Sequence, residues 1–314
     1  MLKIAVIGCG LNCDRHIQVF GKMEETKITA LCDVVPEKLE DAVNKTGANG
    51  YLDYNELLEK EELDLVIINL PHALHNPCVK KCAEKGIDIY LEKPMGISVA
   101  DCQEMIDVCE KNNVLFWIGH GQGYFPTNSK AKEIAKSGRL GELVGITETR
   151  NVFYFSPSRP RWFLDKKMSG GGIMMNLGAH ALDKVKYFSD GEIVEAVGSV
   201  HIPEGSSVED GVQAFVKTST GVSALLNLTG HTTAHVYQTV LYLSKGEIRI
   251  RDGEIEVFPM GEESEVIDCR CGKSEMDFIM KEVVDTLKTR KKPTVDGAYG
   301  KDVIRAIQTI YGEI

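Results

Sequence analysis

No apolar run in this 314-residue chain approaches the roughly 18 residues that a bilayer-crossing helix needs, so no membrane span is expected. Cations are in deficit. Thirty-six Lys and Arg against 46 Asp and Glu leave a formal charge of −10. The one basic run, 288–292, ends a predicted helix, where it complements the helix dipole. Nucleic acid, whose phosphates require clustered cations, is therefore not an expected partner. Disulfide and zinc spacings are also missing. Nine cysteines is an odd count; Cys9/Cys13 and Cys78/Cys82 stand four apart, and Cys269-Arg270-Cys271 is too tight for a zinc knuckle. They read as small buried groups or free thiols of a reducing cytosol. The apolar stretch 4–7 is too short for a signal peptide and Asp14-Arg15 follow it, so a cytoplasmic location is expected. His231 and His235 lack a helical face and a third ligand, so no metal site is expected.

What the chain does contain is alternation. Runs rich in Val, Ile and Leu at 3–7, 27–32, 65–70, 87–91 and 114–118 are separated by amphipathic stretches at 14–24, 36–45, 54–60, 77–85 and 99–111. Apolar runs without period-two alternation suit strands buried on both faces, and β-α-β order predicts a doubly wound parallel sheet. After Gly119 the pattern changes. A helix at 128–137 leads into a long strand at 142–155, and a helix at 172–188 precedes strands at 195–202, 212–218, 222–228, 236–243, 248–251 and 254–258. Asp252-Gly253 between the last two is a tight-hairpin dipeptide. Helices at 274–289 and 299–311 close the chain. The expected fold is α/β, with an N-terminal Rossmann domain (1–120) and a C-terminal α+β domain (121–314) built on a large, mainly antiparallel sheet.

Gly8-Cys9-Gly10-Leu11-Asn12-Cys13 joins the first strand to the first helix and matches G-x-G-x-x-G at two of three glycines. In that context Gly8 makes the tight turn and Gly10 admits a pyrophosphate at the helix N-terminus. Asp33 ends the second strand about 20 residues further on, where a carboxylate binds the adenosine ribose. The same carboxylate repels a 2′-phosphate and Val34 supplies no cation, so NAD is expected in preference to NADP.

Four segments then carry a resemblance. Leu70-Pro71-His72-Ala73-Leu74-His75, Leu91-Glu92-Lys93-Pro94, Lys136-Ser137-Gly138-Arg139-Leu140-Gly141-Glu142, and Gly170-Gly171-Gly172 with Asn176, Gly178, His180 and Asp183 resemble motifs of the Gfo/Idh/MocA oxidoreductases. The resemblance runs nearly end to end. It implies that Lys93 and His180 handle the proton of a substrate hydroxyl, and that Asn176, His180, Asp183 and Lys93 hold the substrate. It also implies that Gly8, Gly10, Leu11, Asn12, Asp33, Leu70, Pro71, His75, Glu92, Lys93 and Trp162 contact the cofactor. Independently of the family, a lysine at the carboxyl edge of the sheet is a credible proton donor or acceptor. On an ideal helix Asn176, His180, Asp183 and Tyr187 fall within roughly 60° of one another, one polar stripe on an apolar helix.

Two departures bear on substrate choice. Asn176 stands where the family pattern has Asp, and Gly123 stands where many members carry arginine. The function expected is hydride transfer between a nicotinamide cofactor and a secondary alcohol or ketone of a sugar, cyclitol or related polyol. The alternatives are an NAD-dependent sugar hydrolase or lyase that oxidises its substrate transiently, and a non-catalytic NAD-dependent sensor. A homodimer or homotetramer through the C-terminal sheet is expected.

Overall fold

The computed structural model describes residues 1–251, 253–269 and 272–314, the Thr233 side chain excepted. The hairpin residue Asp252 and the pair Arg270-Cys271 lie outside the described residues. The chain forms two compact units, one of residues 1–120 with 276–301 and the other of 121–275 with 302–314. Residues 276–301 thus belong to the first unit.

In the first unit the elements run β1 (Leu2–Ile7), α1 (Cys13–Phe20), β2 (Thr26–Cys32), α2 (Pro36–Thr46), β3 (Asn49–Tyr51), α3 (Tyr54–Lys60), β4 (Leu65–Ile68), α4 (His75–Glu84), β5 (Asp88–Leu91), α5 (Val99–Lys111) and β6 (Phe116–Ile118). The sheet order is β3-β2-β1-β4-β5-β6, and every pairing is parallel. This is the Rossmann order, with its topological switch between β1 and β4. Helices cover both faces, which is why Leu65–Ile68 are buried without alternation. β3, only Asn-Gly-Tyr, has no hydrophobic pattern and was not expected from sequence. The returning segment is held by ion pairs of Lys288 with Glu25 and Arg290 with Asp88, and by a bridge between Asp296 and Trp117.

The second unit contains α6 (Pro126–Lys136), β7 (Leu143–Phe153), α7 (Lys166–Ser169), a π-helical turn Met174–Gly178 running into α8 (Ala179–Ser189), β8 (Ile193–His201), β9 (Gly211–Thr218), β10 (Ser223–Thr229), β11 (His231–Leu243), β12 (Gly246–Arg251), β13 (Glu254–Pro259) and β14 (Glu265–Asp268). Two helices, α9 (Glu275–Thr289) and α10 (Gly297–Tyr311), end the chain. The eight strands are ordered β14-β13-β12-β11-β7-β10-β9-β8. Among the described residues only β7 and β10 pair in parallel. Here the strands do alternate. Ala224, Leu226 and Leu228 are buried, whereas Leu225 and Asn227 are exposed, because only one face is covered. Val197, Phe215 and Leu225 are cross-strand neighbours on the open face, and all three are exposed.

α8 is seated on the covered face by charge as well as by apolar contact. Lys184 Nζ donates to Thr239 Oγ1 at 2.7 Å and lies 3.6 Å from Glu148 Oε1, which also pairs with Arg150 Nε at 2.7 Å. Glu148 and Thr239 are fully buried. Burial pushes the Lys184 amine below its ordinary pKa, against the pull of Glu148.

The described cysteines are all free, and seven of the eight are buried. Burial and the neighbouring Asp33 push the Cys32 thiol up to about 12.

Candidate functional site

The nucleotide half is built at the carboxyl ends of the first sheet. Gly8 has φ 98°, and a Cβ there would stand 2.5 Å from the Asn69 carbonyl oxygen, so β1 and β4 approach this closely only with glycine. Gly10 has open space where its Cβ would be, a cradle that a side chain would fill and a pyrophosphate can enter. Leu11 is exposed, and Asn12 precedes α1 without a side-chain cap bond. Asp33 uses both carboxylate oxygens, Oδ2 accepting from Cys9 N at 2.7 Å and Oδ1 from Val35 N at 2.8 Å. It therefore ties the glycine loop to the start of α2 from its place at the end of β2.

Leu70 and Pro71 follow β4 and are partly exposed. His75 is fully buried, with Nε2 2.8 Å from the Leu70 carbonyl and Nδ1 3.2 Å from the Met95 carbonyl. The ring bridges the turn after β4 to the turn after β5. Burial pushes its pKa below the ordinary value, with the carbonyls pulling the other way. Glu92 is buried and sits 3.3 Å from His16 Nε2 on α1. Burial drives its carboxyl up, but His16, Lys93 and Arg15 together hold it below the usual carboxylate range. Lys93 is half-buried at the end of β5, and the Lys93–Pro94 bond is cis.

The candidate substrate residues Asn176, His180 and Asp183 lie on the second unit. Gly172 leaves no room for a side chain, since its Cβ would meet the Glu209 carbonyl oxygen at 2.0 Å. This approach lets the buried Glu209 carboxylate accept from Gly172 N at 2.8 Å, Met174 N at 2.9 Å and the Tyr311 hydroxyl at 2.7 Å. Glu209 thus caps the helical run that carries Asn176, His180 and Asp183. The ideal-helix stripe needs one correction: the π turn inserts a wider loop between Asn176 and His180, so a uniform 100° step does not relate them.

Gln122 links the polar residues. Its backbone N donates to Asp183 Oδ2 at 2.9 Å, and its Nε2 lies 3.4 Å from His180 Nδ1. Asn128 Nδ2 donates to the Gln122 carbonyl at 2.8 Å and lies 3.4 Å from Gln122 Oε1. With Oε1 facing that amide, the Gln122 NH2 faces Nδ1, which favours the tautomer with its proton on Nε2. Asp183, buried, acts on His180 through Gln122. Asn176 lies beside Tyr154, whose hydroxyl burial pushes well above its ordinary range while Asn176 pulls it down. Trp162 is half-buried on a short turn, stacked on Phe163 with centroids 3.8 Å apart.

Sequence reasoning missed His16, Gln122, Asn128, Tyr154 and Glu209. Gln122 follows the change of pattern after Gly119, and Glu209 beside Asp210 forms an acidic pair just ahead of a strand. No spacing rule connects either to residues some 40 to 60 positions away in the chain.

The glycine cradle, the switch-point sheet and the capped glycine-to-histidine helix define a nicotinamide-nucleotide-type oxidoreductase architecture. Residues 2–120 match the oxidoreductase family with NAD-binding Rossmann fold, and residues 128–249 match the GFO/IDH/MocA C-terminal domain. The chain belongs to the GFO/IDH/MocA oxidoreductase family. It is 28% identical over 66% of its length to a 2,7-anhydro-N-acetylneuraminate hydratase of Mediterraneibacter gnavus, spanning 55% of that protein. It is 26% identical over 79% of its length to a myo-inositol 2-dehydrogenase of Thermotoga maritima, spanning 74%. The chain spans little more than half the length of the hydratase relatives that it matches. An aldose-aldose oxidoreductase structure from Caulobacter crescentus, complexed with glycerol, has the same fold, with TM-score 0.89 at 22% identity over 99% of this chain and 97% of that one.

His75 sets a pH dependence. Because burial disfavours its charged form, the unfolded chain binds a proton more readily below the ordinary value of 6.5. Stability contributed by neutral His75 is fully present above that pH and falls as the pH drops towards the lower folded value. Thermal unfolding from pH 7.5 to 5 should show this loss in the parent protein. His75→Asn should be less stable at pH 7.5 but show a smaller further drop at pH 5. Equal drops in both proteins would show that His75 does not supply the dependence.

Proposed function

We propose that this chain oxidises a secondary alcohol of a sugar, cyclitol or related polyol, or reduces the corresponding ketone, with NAD. The reading is supported by Lys93 at the carboxyl edge of the Rossmann sheet in the first unit, and by His180, with Gln122 Nε2 beside its Nδ1, in the second. Bound at the glycine cradle, the nicotinamide nucleotide supplies the hydride acceptor or donor. Lys93 exchanges the proton of the substrate hydroxyl. His180, with its proton on Nε2, donates a hydrogen bond to a substrate oxygen and polarises its C–O bond. Asn176 holds a further hydroxyl, and as a neutral amide it takes up no proton. Gly8, Gly10, Leu11, Asn12, Asp33, Leu70, Pro71, His75, Glu92, Lys93 and Trp162 are the proposed cofactor contacts. His75 and Glu92, both buried, also hold the turns that present those contacts, and Asp183 positions Gln122.

The hydratase relatives favour a second reading, in which the same residues oxidise the substrate transiently and return the hydride before release. A sensor role ranks below both, because Lys93 and His180 are both retained. Following absorbance at 340 nm with product analysis, across sugars, inositols, keto-sugars and anhydro-sugars with each cofactor, separates them. Net NADH points to a dehydrogenase, product without net NADH to transient oxidation, and neither with any substrate to a sensor. Lys93→Met and His180→Ala should each lower turnover at least about 10²-fold. Gln122→Ala should lower kcat about tenfold and shift the histidine limb of the pH–rate profile, with KM little changed. An unchanged profile would remove Gln122 from the proton-handling network.

NAD is preferred because the Asp33 carboxylate lies at the end of β2. Asp33→Ala should weaken NAD binding far more than NADP binding in fluorescence titrations, since it also removes the repulsion of a 2′-phosphate. Equal losses would leave Asp33 as the tie between Cys9 N and Val35 N alone.

A second copy of this chain is the partner we assign to the exposed row Val197, Phe215 and Leu225. Leu225→Glu should reduce the mass measured by light scattering to that of a monomer, and an unchanged mass would place any assembly elsewhere.

A further inference from the structure

Three strands of the second unit bring a set of ligand atoms to one end of the sheet. His201 ends β8, Asp210 stands immediately before β9, and His231 begins β11 just after β10. Backbone bonds fix the arrangement: Asp210 N donates to the His201 carbonyl at 3.0 Å, and Gly230 N donates to the Asp210 carbonyl at 2.6 Å. Asp210 is completely buried, while both imidazoles are more than half exposed. The carboxylate spans the two rings, with Oδ1 2.8 Å from His201 Nδ1 and Oδ2 2.5 Å from His231 Nε2.

The two contacts differ in kind. His201 and Oδ1 are aligned as a hydrogen bond, but Oδ2 has no hydrogen-bond partner despite its closeness to His231. No Lys or Arg forms an ion pair with Asp210 among the described residues. A carboxylate that is fully desolvated, without a permanent cation and with one oxygen facing an imidazole nitrogen off the hydrogen-bond line, is costly as it stands. A cation seated between the lone pairs would satisfy all three groups. The ligand atoms lie within 4.8 Å of one another. Around one tetrahedral ion with bonds of about 2.1 Å they would stand about 3.4 Å apart, so binding repositions the two exposed rings around the fixed carboxylate.

We propose that His201, Asp210 and His231 form a site for one divalent transition-metal ion, which the pairing of His231 with His235 in the sequence did not suggest. Two imidazoles and one carboxylate suit zinc, cobalt or nickel, not magnesium or calcium, which take oxygen ligands. Three protein ligands leave a coordination position open to solvent. Asp210 adjoins Glu209, the cap of the helical run bearing Asn176 and His180, so a filled site braces the segment that anchors that cap.

The test uses the full chain, free of affinity tag and stripped with chelator. Titration with zinc chloride should show one equivalent bound with Kd at or below about 10 μM, and a rise in unfolding temperature. Cobalt(II) should give visible ligand-field absorption without a near-ultraviolet thiolate band, which separates this site from the cysteines. His201→Ala and His231→Ala should each weaken zinc binding at least about tenfold, by loss of one of three ligands, with far-ultraviolet circular dichroism unchanged. His235→Ala should bind like the parent. Absence of stoichiometric binding, a thiolate band, or undiminished binding in both His201→Ala and His231→Ala would overturn the proposal.

Discussion

The helical run that carries Asn176, His180 and Asp183 depends on one buried carboxylate. Glu209 accepts from the backbone N–H groups of Gly172 and Met174, which as the first groups of a helical run have no partner within it. A negative charge at that end also complements the helix dipole, and charge-assisted bonds of this type are roughly twice as strong as neutral ones. The glycine run serves this contact. Gly172 makes the approach sterically possible, and Gly171 leaves space for Tyr311, whose hydroxyl bonds the same carboxylate. Without the cap, Asn176 and His180 would ride on a frayed helix end.

From that end the polar groups descend in order of burial. Asn176 and His180 are partly exposed, whereas Asp183 and Lys184 are buried, one tied to the Gln122 backbone and the other to Glu148 and Thr239. A helix seated only by apolar contacts can slide or rotate at modest cost. One anchored by desolvated charges cannot, because each displaced charge would lose its partner in a low-dielectric setting. The Glu148–Lys184–Arg150 cluster thus fixes the rotation of α8, and with it the direction in which His180 points. In the first unit the Glu92–His16 pair and the His75 bridge hold the turns after β4 and β5 in the same way.

Much of the architecture was legible in the sequence because it rests on local chemistry. Unbroken Val, Ile and Leu runs can be buried on both faces only in a parallel sheet, and alternation after residue 190 marks a sheet open on one side. A glycine at φ 98° against Asn69 and an acidic residue at the end of β2 have fixed spacings, so Gly8 and Asp33 could be found by counting. Lys93, Asn176, His180 and Asp183 came from motif resemblance. Composition and period alone would have left them a surface lysine and a buried polar stripe.

Tertiary structure decided what chain distance hides. The cap that Glu209 places on the run before α8 comes from 37 residues away, and no periodicity reports it or the π turn that follows it. The Gln122–His180 contact spans 58 residues, and the return of 276–301 to the first unit spans still more. His75 and Glu92 came from family motifs, and only the folded chain shows that both are also buried ties between backbone turns. His201, Asp210 and His231 share no sequence spacing and converge only because the end of β8, the start of β9 and the turn from β10 to β11 lie at one end of the sheet. Backbone conformation and face patterning are short-range consequences of side-chain shape and polarity, so the sequence alone determined them. Which polar groups share a buried charge depends on strand order and register, and only the folded chain decided that.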